Sequence, residues 1–122
     1  MLIGIDITDL DKVNRISKKH SLHKIFTEKE IKLVESCKNK DRALEILAGR
    51  LAIKEAVMKA LGTGFSNGVT FQQIETLVGV NGQPVLQLYG KALDLVKKLN
   101  YNNYQISISH NKQFAIGVSI FY

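Results

Sequence analysis

The sequence predicts an α+β fold, a mainly antiparallel sheet packed with helices in the order β-α-α-α-β-β-α-β-β. In the first half apolar residues recur mainly at helical spacing, whereas the second half holds short alternating segments separated by turn residues. The length of 122 residues and the hydrophobic content of 45% predict one globular domain over residues 1–122.

The chain opens with a predicted strand over residues 2–7, in which alternate isoleucines share one face. Leu2, Gly4 and Asp6 lie on the opposite face. Because a glycine stands beside Asp6, another group can approach the backbone there. A first helix follows, since apolar residues recur at helical spacing at Leu10, Val13 and Ile16.

Two further helices are marked by their ends. Thr27 and Glu30 form a capping box, which begins a helix that ends near Cys37. The longest helix runs over about 42–61, and Gly62 follows as the left-handed residue that ends it. The apolar stripe of this helix contains Leu44, Leu47, Ala48, Leu51 and Ala52.

The second half is predicted to hold four strands and one helix. Asn81-Gly82 favours a type I′ turn between strands over 69–78 and 85–89, with Pro84 where a strand begins. A last hairpin pairs strands over 105–109 and 114–121. The helix over 91–99 turns Ala92, Leu95, Val96 and Leu99 inward, and the predicted buried face of the last strand carries Phe114, Ile116, Val118 and Ile120.

Composition predicts a cytoplasmic protein. The single cysteine, Cys37, excludes an intramolecular disulfide and a cysteine-based metal cage. No run approaches the roughly 20 apolar residues of a membrane span, and the apolar stretch over 1–5 is too short for a secretion signal.

The formal net charge is +6, and much of the excess lies in one basic segment. Such a segment is either a solvated face or a docking surface for an acidic partner, which can be a nucleic acid or a protein. Its members are Lys12, Arg15, Lys18, Lys19, His20, His23 and Lys24.

Glu55 is the most anomalous residue of the longest helix, because it falls on the apolar stripe. A carboxylate in that position needs a partner to offset its desolvation. Two interpretations are open. Glu55 forms an ion pair with Lys59 one turn later, or it is a metal ligand while Lys59 turns towards a phosphate.

Asp6 ends its strand just before a helix, where it either caps that helix or binds a ligand. If Asp6 and Glu55 fold onto one site, they can hold a hard cation such as Mg²⁺. This ion prefers oxygen ligands and completes its octahedron with water and substrate phosphate. The acid pair therefore points to phosphate-transfer chemistry.

Two further candidates carry weaker signals. The turn Gly62-Thr63-Gly64 follows the C-terminus of a helix, the wrong end for dipole-assisted phosphate binding, so by itself it is a helix stop. His110 begins the loop of the last hairpin, directly after Ser107-Ile108-Ser109, where a lone histidine is usually a surface residue.

Taken together, these motifs resemble those of a known family in order and spacing. They are Gly4-Ile5-Asp6-Ile7, Phe26-Thr27-Glu28-Lys29-Glu30, the segment from Arg50 through Lys54-Glu55 and Lys59 to Gly62-Thr63-Gly64, Asn81-Gly82-Gln83-Pro84, and Ser107-Ile108-Ser109-His110. Over nearly its whole length the chain resembles the holo-[acyl-carrier-protein] synthases, the small stand-alone class of 4′-phosphopantetheinyl transferases. The segment around Lys54, Glu55 and Lys59 is the most specific.

The resemblance implies transfer of the phosphopantetheine arm of coenzyme A to a serine of apo acyl carrier protein, with release of 3′,5′-ADP. It implies that Asp6 and Glu55 bind Mg²⁺, that Lys59 takes part in catalysis, and that Lys59 and His110 contact coenzyme A phosphates. Gly62 and Gly64 match a turn near coenzyme A, and Arg50 is a weaker match of the same kind. The family forms homotrimers with active sites at the subunit interfaces.

The resemblance also implies a partner for the basic segment, because acyl carrier proteins are strongly acidic. Lys12 stands where relatives usually carry an arginine, so the charge is kept and bidentate pairing with a carboxylate is lost. Arg15 can share that role. The expected docking residues are Lys12, Arg15, Lys18, Lys19 and Lys24.

Two other readings compete with this one, and both exclude catalysis. A small basic nucleic-acid-binding module fits the charge and the size but does not explain the acid on the apolar stripe. A trimeric interaction protein with a decayed site does not explain why both acids, Lys59 and His110 are retained.

Overall fold

A computed structural model describes residues 1–19 and 22–122, so His20 of the basic segment lies outside the described residues. The predicted order of elements is confirmed. The elements are β1 (Leu2–Asp9), α1 (Leu10–Lys19), α2 (Glu28–Glu35), α3 (Lys40–Leu61), β2 (Ile74–Val78), β3 (Pro84–Leu88), α4 (Gly90–Lys98), β4 (Tyr104–His110) and β5 (Phe114–Phe121). Short 3₁₀ turns span Leu22–Lys24, Ser66–Gly68 and Phe71–Gln73.

The strands form two antiparallel sheets. In the larger one β5 lies between β1 and β4, while β2 and β3 form a separate hairpin. The register of the larger sheet places Asp6 of β1 directly opposite Gly117 of β5. This pairing joins the first and last strands of the chain side by side, and α3 packs against both.

Helix α3 lies against the backbone of the larger sheet. A Cβ atom at Gly4 would stand 1.8 Å from the carbonyl oxygen of Ala56, and one at Gly117 would stand 2.7 Å from the carbonyl carbon of Ala52. Only residues without a side chain allow this approach. It fixes how far the side chains of α3 lie from those of β1.

The buried face of β5 is the opposite of the one predicted from its large apolar residues. Ala115, Gly117, Ser119 and Phe121 are buried beneath α3, and three of these four are small because the helix lies so close. The predicted residues Phe114, Ile116, Val118 and Ile120 occupy the other face, where Phe114 and Ile116 are each 38% exposed.

The same outer face continues onto β1. The isoleucines do share one face as predicted, yet Ile3, Ile5 and Ile7 remain 59–60% exposed, whereas Gly4, Asp6 and Thr8 point towards α3. Together with Phe114 and Ile116 they form a continuous apolar surface, here called the outer sheet face. Helix packing within the chain does not cover it.

The helix ends follow their capping residues. The capping box at Thr27 and Glu30 is present as predicted, and α2 ends at Glu35, short of Cys37. Helix α3 begins at Lys40, slightly before the predicted start, because the Asn39 side chain accepts hydrogen bonds from the amides of Asp41 and Arg42. At the other end Gly62 adopts the expected left-handed conformation, with φ of 68°.

Three predictions for the second half are wrong. Residues 69–73 form a loop and a 3₁₀ turn, so β2 begins only at Ile74. The hairpin turn is not type I′, because Gly82 has a positive φ but Asn81 does not. Leu99 follows the end of α4 and is 41% exposed, while Ala92 and Val96 are buried as expected. Within the described ranges, no helix is long and apolar enough to cross a membrane.

Candidate active site

Asp6 and Glu55, the two acids singled out in the sequence, meet between β1 and α3. Their carboxyl groups lie close enough that each shifts the pKa of the other. Asp6 is 9% exposed, and the Glu55 side chain is 27% exposed. The close approach of α3 to β1 brings these two residues together across 49 positions of sequence.

The two carboxyl groups share one environment but titrate differently. Burial raises the pKa of Glu55 to about 7, helped by its hydrogen bond to Asp6 and by the charge of Asp6. Burial also acts to raise the pKa of Asp6, but hydrogen bonds to Glu55 and Lys59 and the charges of Lys59 and Lys12 outweigh it and lower that pKa. The two neighbouring carboxyl groups therefore favour different protonation states, which is the behaviour of a carboxylate pair.

Two lysines flank the acids from different elements. The Nζ atom of Lys59 lies 2.6 Å from Oδ1 of Asp6, and Nζ of Lys12 lies 3.8 Å from Oε1 of Glu55. The Asp6 carboxylate raises the pKa of Lys59, whose side chain is 61% exposed. The sequence left open whether Lys59 pairs with Glu55. In the structure Lys59 pairs with Asp6 instead.

The helix-capping interpretation of Asp6 is not supported either. The cap of α1 is Asp9, whose Oδ1 accepts a hydrogen bond from the amide of Asp11 at 2.8 Å. The side chain of Asp6 points instead towards α3, as does that of its neighbour on the same face, Thr8. Asp6 and Asp9 lie on opposite faces of β1, and only Asp9 lies on the exposed face next to the start of α1.

The acid pair fits a hard divalent cation. Oδ2 of Asp6 is buried without a hydrogen-bond partner in the part of the chain that the structure describes. Within that part, the acids do not belong to any group of three or more potential metal ligands. A two-carboxylate site suits Mg²⁺, which keeps several waters and takes further oxygen ligands from a phosphate substrate.

His110 and Arg50 belong to a second cluster. His110 ends β4, and its Nδ1 lies 3.4 Å from Oε2 of Glu45 while its Nε2 lies 3.4 Å from Nη1 of Arg42. These residues line a cavity of about 280 Å³ together with Arg50. Burial lowers the pKa of Arg50, and its Nε atom has no hydrogen-bond partner among residues 1–19 and 22–122.

The sequence did not identify Arg42 and Glu45 as members of this cluster. They stand three positions apart near the start of α3 and form an ion pair with an Nη1–Oε2 distance of 3.3 Å. In the sequence this spacing is typical of an ordinary solvent-exposed ion pair on a helix. Only the packing of β4 beside α3 brings His110 to them.

The two clusters occupy different ends of α3. At about 1.5 Å per residue, Glu45 and Glu55 are roughly 15 Å apart along the helix axis. Gly62 and Gly64 follow the end of the helix nearer to Lys59, have φ values of 68° and 51°, and border open space. The predicted coenzyme A residues are therefore divided between the clusters, with Arg50 and His110 in one and Lys59, Gly62 and Gly64 near the other.

Behind Glu55 lies a buried polar network that the sequence analysis also missed. Lys54 is fully buried, and its Nζ lies 2.7 Å from Glu30 and 2.9 Å from the carbonyl oxygen of Phe71, with a further bond to the carbonyl of Ile74. Burial lowers the pKa of Lys54, opposed by the charge of Glu30. Lys54 thus ties α3 to α2 and to the start of β2.

The basic residues predicted to dock a partner are all exposed. Four of them lie on α1 and one on the following 3₁₀ turn, and Lys12 of α1 also reaches Glu55. They are Lys12, Arg15, Lys18, Lys19 and Lys24.

Comparison with known proteins assigns the chain to a class of transferases. The family model described as the 4′-phosphopantetheinyl transferase superfamily matches residues 2–118. The chain belongs to this superfamily. The holo-[acyl-carrier-protein] synthase of Maridesulfovibrio salexigens is 40% identical over 121 residues, which cover 97% of this chain and 94% of that protein. The synthase of Clostridium tetani is 40% identical over 120 residues, covering 97% and 92%.

Solved structures of the same enzyme class are similar in fold. The holo-(acyl-carrier-protein) synthase of Bacillus anthracis, in complex with CoA (3′,5′-ADP), superposes with a TM-score of 0.81 at 33% identity and covers 98% of this chain and 94% of its own. The Helicobacter pylori synthase, in complex with coenzyme A, gives a TM-score of 0.82 at 27% identity, with coverage of 99% and 100%. The α+β fold predicted from the sequence is thereby confirmed.

Proposed function

We propose that this protein transfers the 4′-phosphopantetheine group of coenzyme A to a serine of apo acyl carrier protein in the cytoplasm. The products are holo carrier protein and adenosine 3′,5′-bisphosphate. The observation that carries the proposal is the meeting of Asp6 and Glu55 between β1 and α3, with Lys59 paired to Asp6 at 2.6 Å. Membership of the transferase superfamily and similarity to synthases that bind coenzyme A support it.

Asp6 and Glu55 are the residues that would hold Mg²⁺. The unpartnered Oδ2 atom of Asp6 is available as an oxygen ligand to such a cation. Because the pKa of Glu55 is raised to about 7, cation binding near neutral pH would release a proton from Glu55. When bound, Mg²⁺ supplies positive charge beside the pyrophosphate of coenzyme A.

In the transfer step the serine oxygen bonds to the phosphorus that carries the pantetheine arm, and the phosphoanhydride bond to the adenosine side breaks. Lys59 lies at the exposed edge of the acid pair, where its ammonium stabilises the charge that develops on the phosphate oxygens. The serine proton passes to a site carboxylate or to a water ordered beside it.

Coenzyme A binding is assigned to both clusters. Lys59, Gly62 and Gly64 lie beside the acids, where the pyrophosphate would be held, while Arg50 and His110 line the cavity at the other end of α3. The unpartnered Nε of Arg50 is available to a phosphate oxygen. Because the clusters are separated along α3, we assign one coenzyme A to the first cluster of one subunit and the second cluster of its neighbour.

This arrangement requires an oligomer, and we propose a homotrimer with active sites at its subunit interfaces. The outer sheet face supports association, because it exposes Ile3, Ile5 and Ile7 beside Phe114 and Ile116. Burial of a surface of this kind against other copies of the chain would stabilise a protein of 122 residues. The trimeric state itself follows from the family resemblance.

The exposed basic side of α1 is proposed as the docking surface for the acidic carrier protein. Lys12 has a second role there, since its ammonium also contacts Glu55 at 3.8 Å. Arg15 offers a planar, bidentate donor on the same helix, which suits carboxylates on a partner.

The deciding experiment is the mass of apo acyl carrier protein after incubation with coenzyme A, Mg²⁺ and the purified protein. A gain of one phosphopantetheine group is expected, with 3′,5′-ADP released in equal amount. The matched controls omit Mg²⁺ or use Asp6→Asn, which keeps the side-chain volume. An unchanged carrier protein with the wild-type chain would reject the proposed reaction.

A further inference from the structure

Gly117 on β5 lies directly opposite Asp6 on β1 in the sheet register. Residues that face each other across an antiparallel pair project to the same side, so Gly117 lies beside the Asp6 side chain beneath α3. A Cβ atom at Gly117 would stand 2.7 Å from the carbonyl carbon of Ala52 and 2.7 Å from the amide nitrogen of Ile53.

These clashing atoms belong to the backbone of α3 and cannot turn aside as a side chain can. Ordinary contact begins at about 3.4 Å, so a methyl group at Gly117 would move helix and strand apart by roughly 0.7 Å. Ala52 lies three residues before Glu55 on the same helix, so this displacement acts directly on the distance between Glu55 and Asp6.

Gly4 acts at the same interface from β1, two residues before Asp6. Its Cβ position would overlap the carbonyl oxygen of Ala56, the residue after Glu55. By contrast Gly49, near the other cluster, faces only side-chain atoms of Ile108, the nearest at 3.0 Å. Backbone contact with α3 is therefore found at the two glycines beside the acid pair.

We propose that Gly117 is a positioning residue for the two-carboxylate site. By allowing α3 to rest on the backbone of β5, it sets the separation at which Asp6 and Glu55 act as joint ligands of a divalent cation. This inference rests on the proposed function and extends it to a residue without a functional group. Sites of this kind lose function when their ligands shift by about 0.5–1 Å.

The test measures cation binding rather than turnover. Mn²⁺ is titrated into metal-free protein without coenzyme A, so that only the acid pair is probed, and the free ion is followed by electron paramagnetic resonance. Gly117→Ala is expected to weaken Mn²⁺ binding by about 10-fold or more, as changes beside metal ligands typically do. Gly49→Ala is the matched control, and its Mn²⁺ affinity should stay within about 2-fold of wild type, because a side chain can yield where backbone cannot.

The outcomes separate this inference from the proposed function. If the wild-type chain modifies carrier protein and Gly117→Ala, folded by circular dichroism, binds Mn²⁺ as tightly as wild type, only the positioning role is overturned. If wild-type protein binds no Mn²⁺, the metal assignment and the positioning role both fail.

A second variant covers the case in which Gly117→Ala does not fold. Ala52→Ser adds one oxygen to the buried helix residue whose backbone meets Gly117. It should weaken Mn²⁺ binding in the same direction by a smaller factor. An affinity equal to that of wild type would overturn the proposal.

Discussion

Lys59 forms its ion pair with Asp6, 53 residues away on β1, and not with Glu55 on the preceding turn of its own helix. The distance from Nζ of Lys59 to Oδ1 of Asp6 is 2.6 Å. Glu55 is left with the more distant Lys12 at 3.8 Å, and its pKa is raised to about 7. An acid that its own helix does not neutralise is poorly explained by stability and well explained by a ligand.

The first prediction concerns the acids themselves. Asp6→Ala and Glu55→Ala are each expected to abolish transfer while leaving a folded oligomer, because either change removes one of two cation ligands. Glu55→Gln keeps the side-chain volume and should lower the rate by about 100-fold or more. Initial rates come from the carrier-protein mass, and sedimentation checks the assembly. Near wild-type turnover of either variant at saturating Mg²⁺ would refute the metal assignment.

A second prediction follows from the raised pKa of Glu55. Its pKa rises from the ordinary 4.5 to about 7 on folding, so its contribution to stability is greatest below pH 4.5 and is lost as the pH rises through 7. The free energy of unfolding of metal-free protein should fall across this window by on the order of 1 kcal/mol relative to Glu55→Gln. Denaturant unfolding at several pH values measures it.

The comparison with Glu55→Gln isolates this one group. Asp6 does not interfere, because its pKa is lowered from 3.8 and its titration lies below the window. Added Mg²⁺ should restore stability to the wild-type chain at neutral pH and leave Glu55→Gln much less affected. Parallel pH profiles for the two proteins would contradict the prediction.

The third prediction tests the buried pair behind the site. Lys54→Met is expected to lower the free energy of unfolding by about 3–5 kcal/mol, because Glu30 is left charged and buried without its cation. Adding Glu30→Gln to Lys54→Met should recover part of the loss, since neither of these two positions then carries a buried charge. Chemical denaturation measures both. A loss below about 1 kcal/mol would mean that the pair behaves like a surface ion pair.

Much of the fold was predictable because local signals agreed with the tertiary structure. The capping box at Thr27 and the left-handed Gly62 depend only on residues within a few positions of each helix end. The helix ends predicted from them therefore lie close to the observed ones. The wrong predictions arose where contacts between distant elements decide which residues are buried. The buried face of β5 has small residues because α3 approaches the backbone at Gly117, and apolar periodicity alone cannot reveal that.

The site was predictable to a similar extent. Asp6 and Glu55 stood out because each carboxylate lies on a face of its element where a partner or ligand must offset its desolvation. The structure brings the two residues together. The partners of His110 did not stand out, since Arg42 and Glu45 look like an ordinary exposed pair on a helix. Their convergence depends on contacts between β4 and α3 that are distant in sequence.

The fourth prediction concerns the outer sheet face. Ile5→Lys places a charge at the centre of this apolar surface, where Ile5 is 59% exposed. The variant should remain folded, sediment as a monomer and lose transfer activity, because the second cluster would no longer be supplied by a neighbour. Val80→Lys adds the same charge at a fully exposed turn residue and should remain trimeric and active. An active monomer of the wild-type chain at assay concentration would contradict the shared site.

The last prediction tests carrier-protein docking on α1. Charge reversal at Arg15 should raise the carrier-protein Michaelis constant and leave coenzyme A binding almost unchanged, because rim charges act mainly on association. The effect should shrink as salt rises, since the screening length is about 8 Å at 0.15 M. Lys12→Glu should cost more than Lys18→Glu, but part of that loss would come from the contact of Lys12 with Glu55.

Arg15→Glu is therefore the cleaner test, with Lys98→Glu at the exposed end of α4 as the matched control. Isothermal titration with coenzyme A separates the two contributions, since a change at Lys12 reaches the acid pair and a change at Arg15 does not. If Lys12→Glu and Arg15→Glu together left the carrier-protein Michaelis constant unchanged at low salt, these residues would serve solubility alone. An increase at low salt that disappears at high salt would place the acidic carrier protein on α1 beside the acid pair.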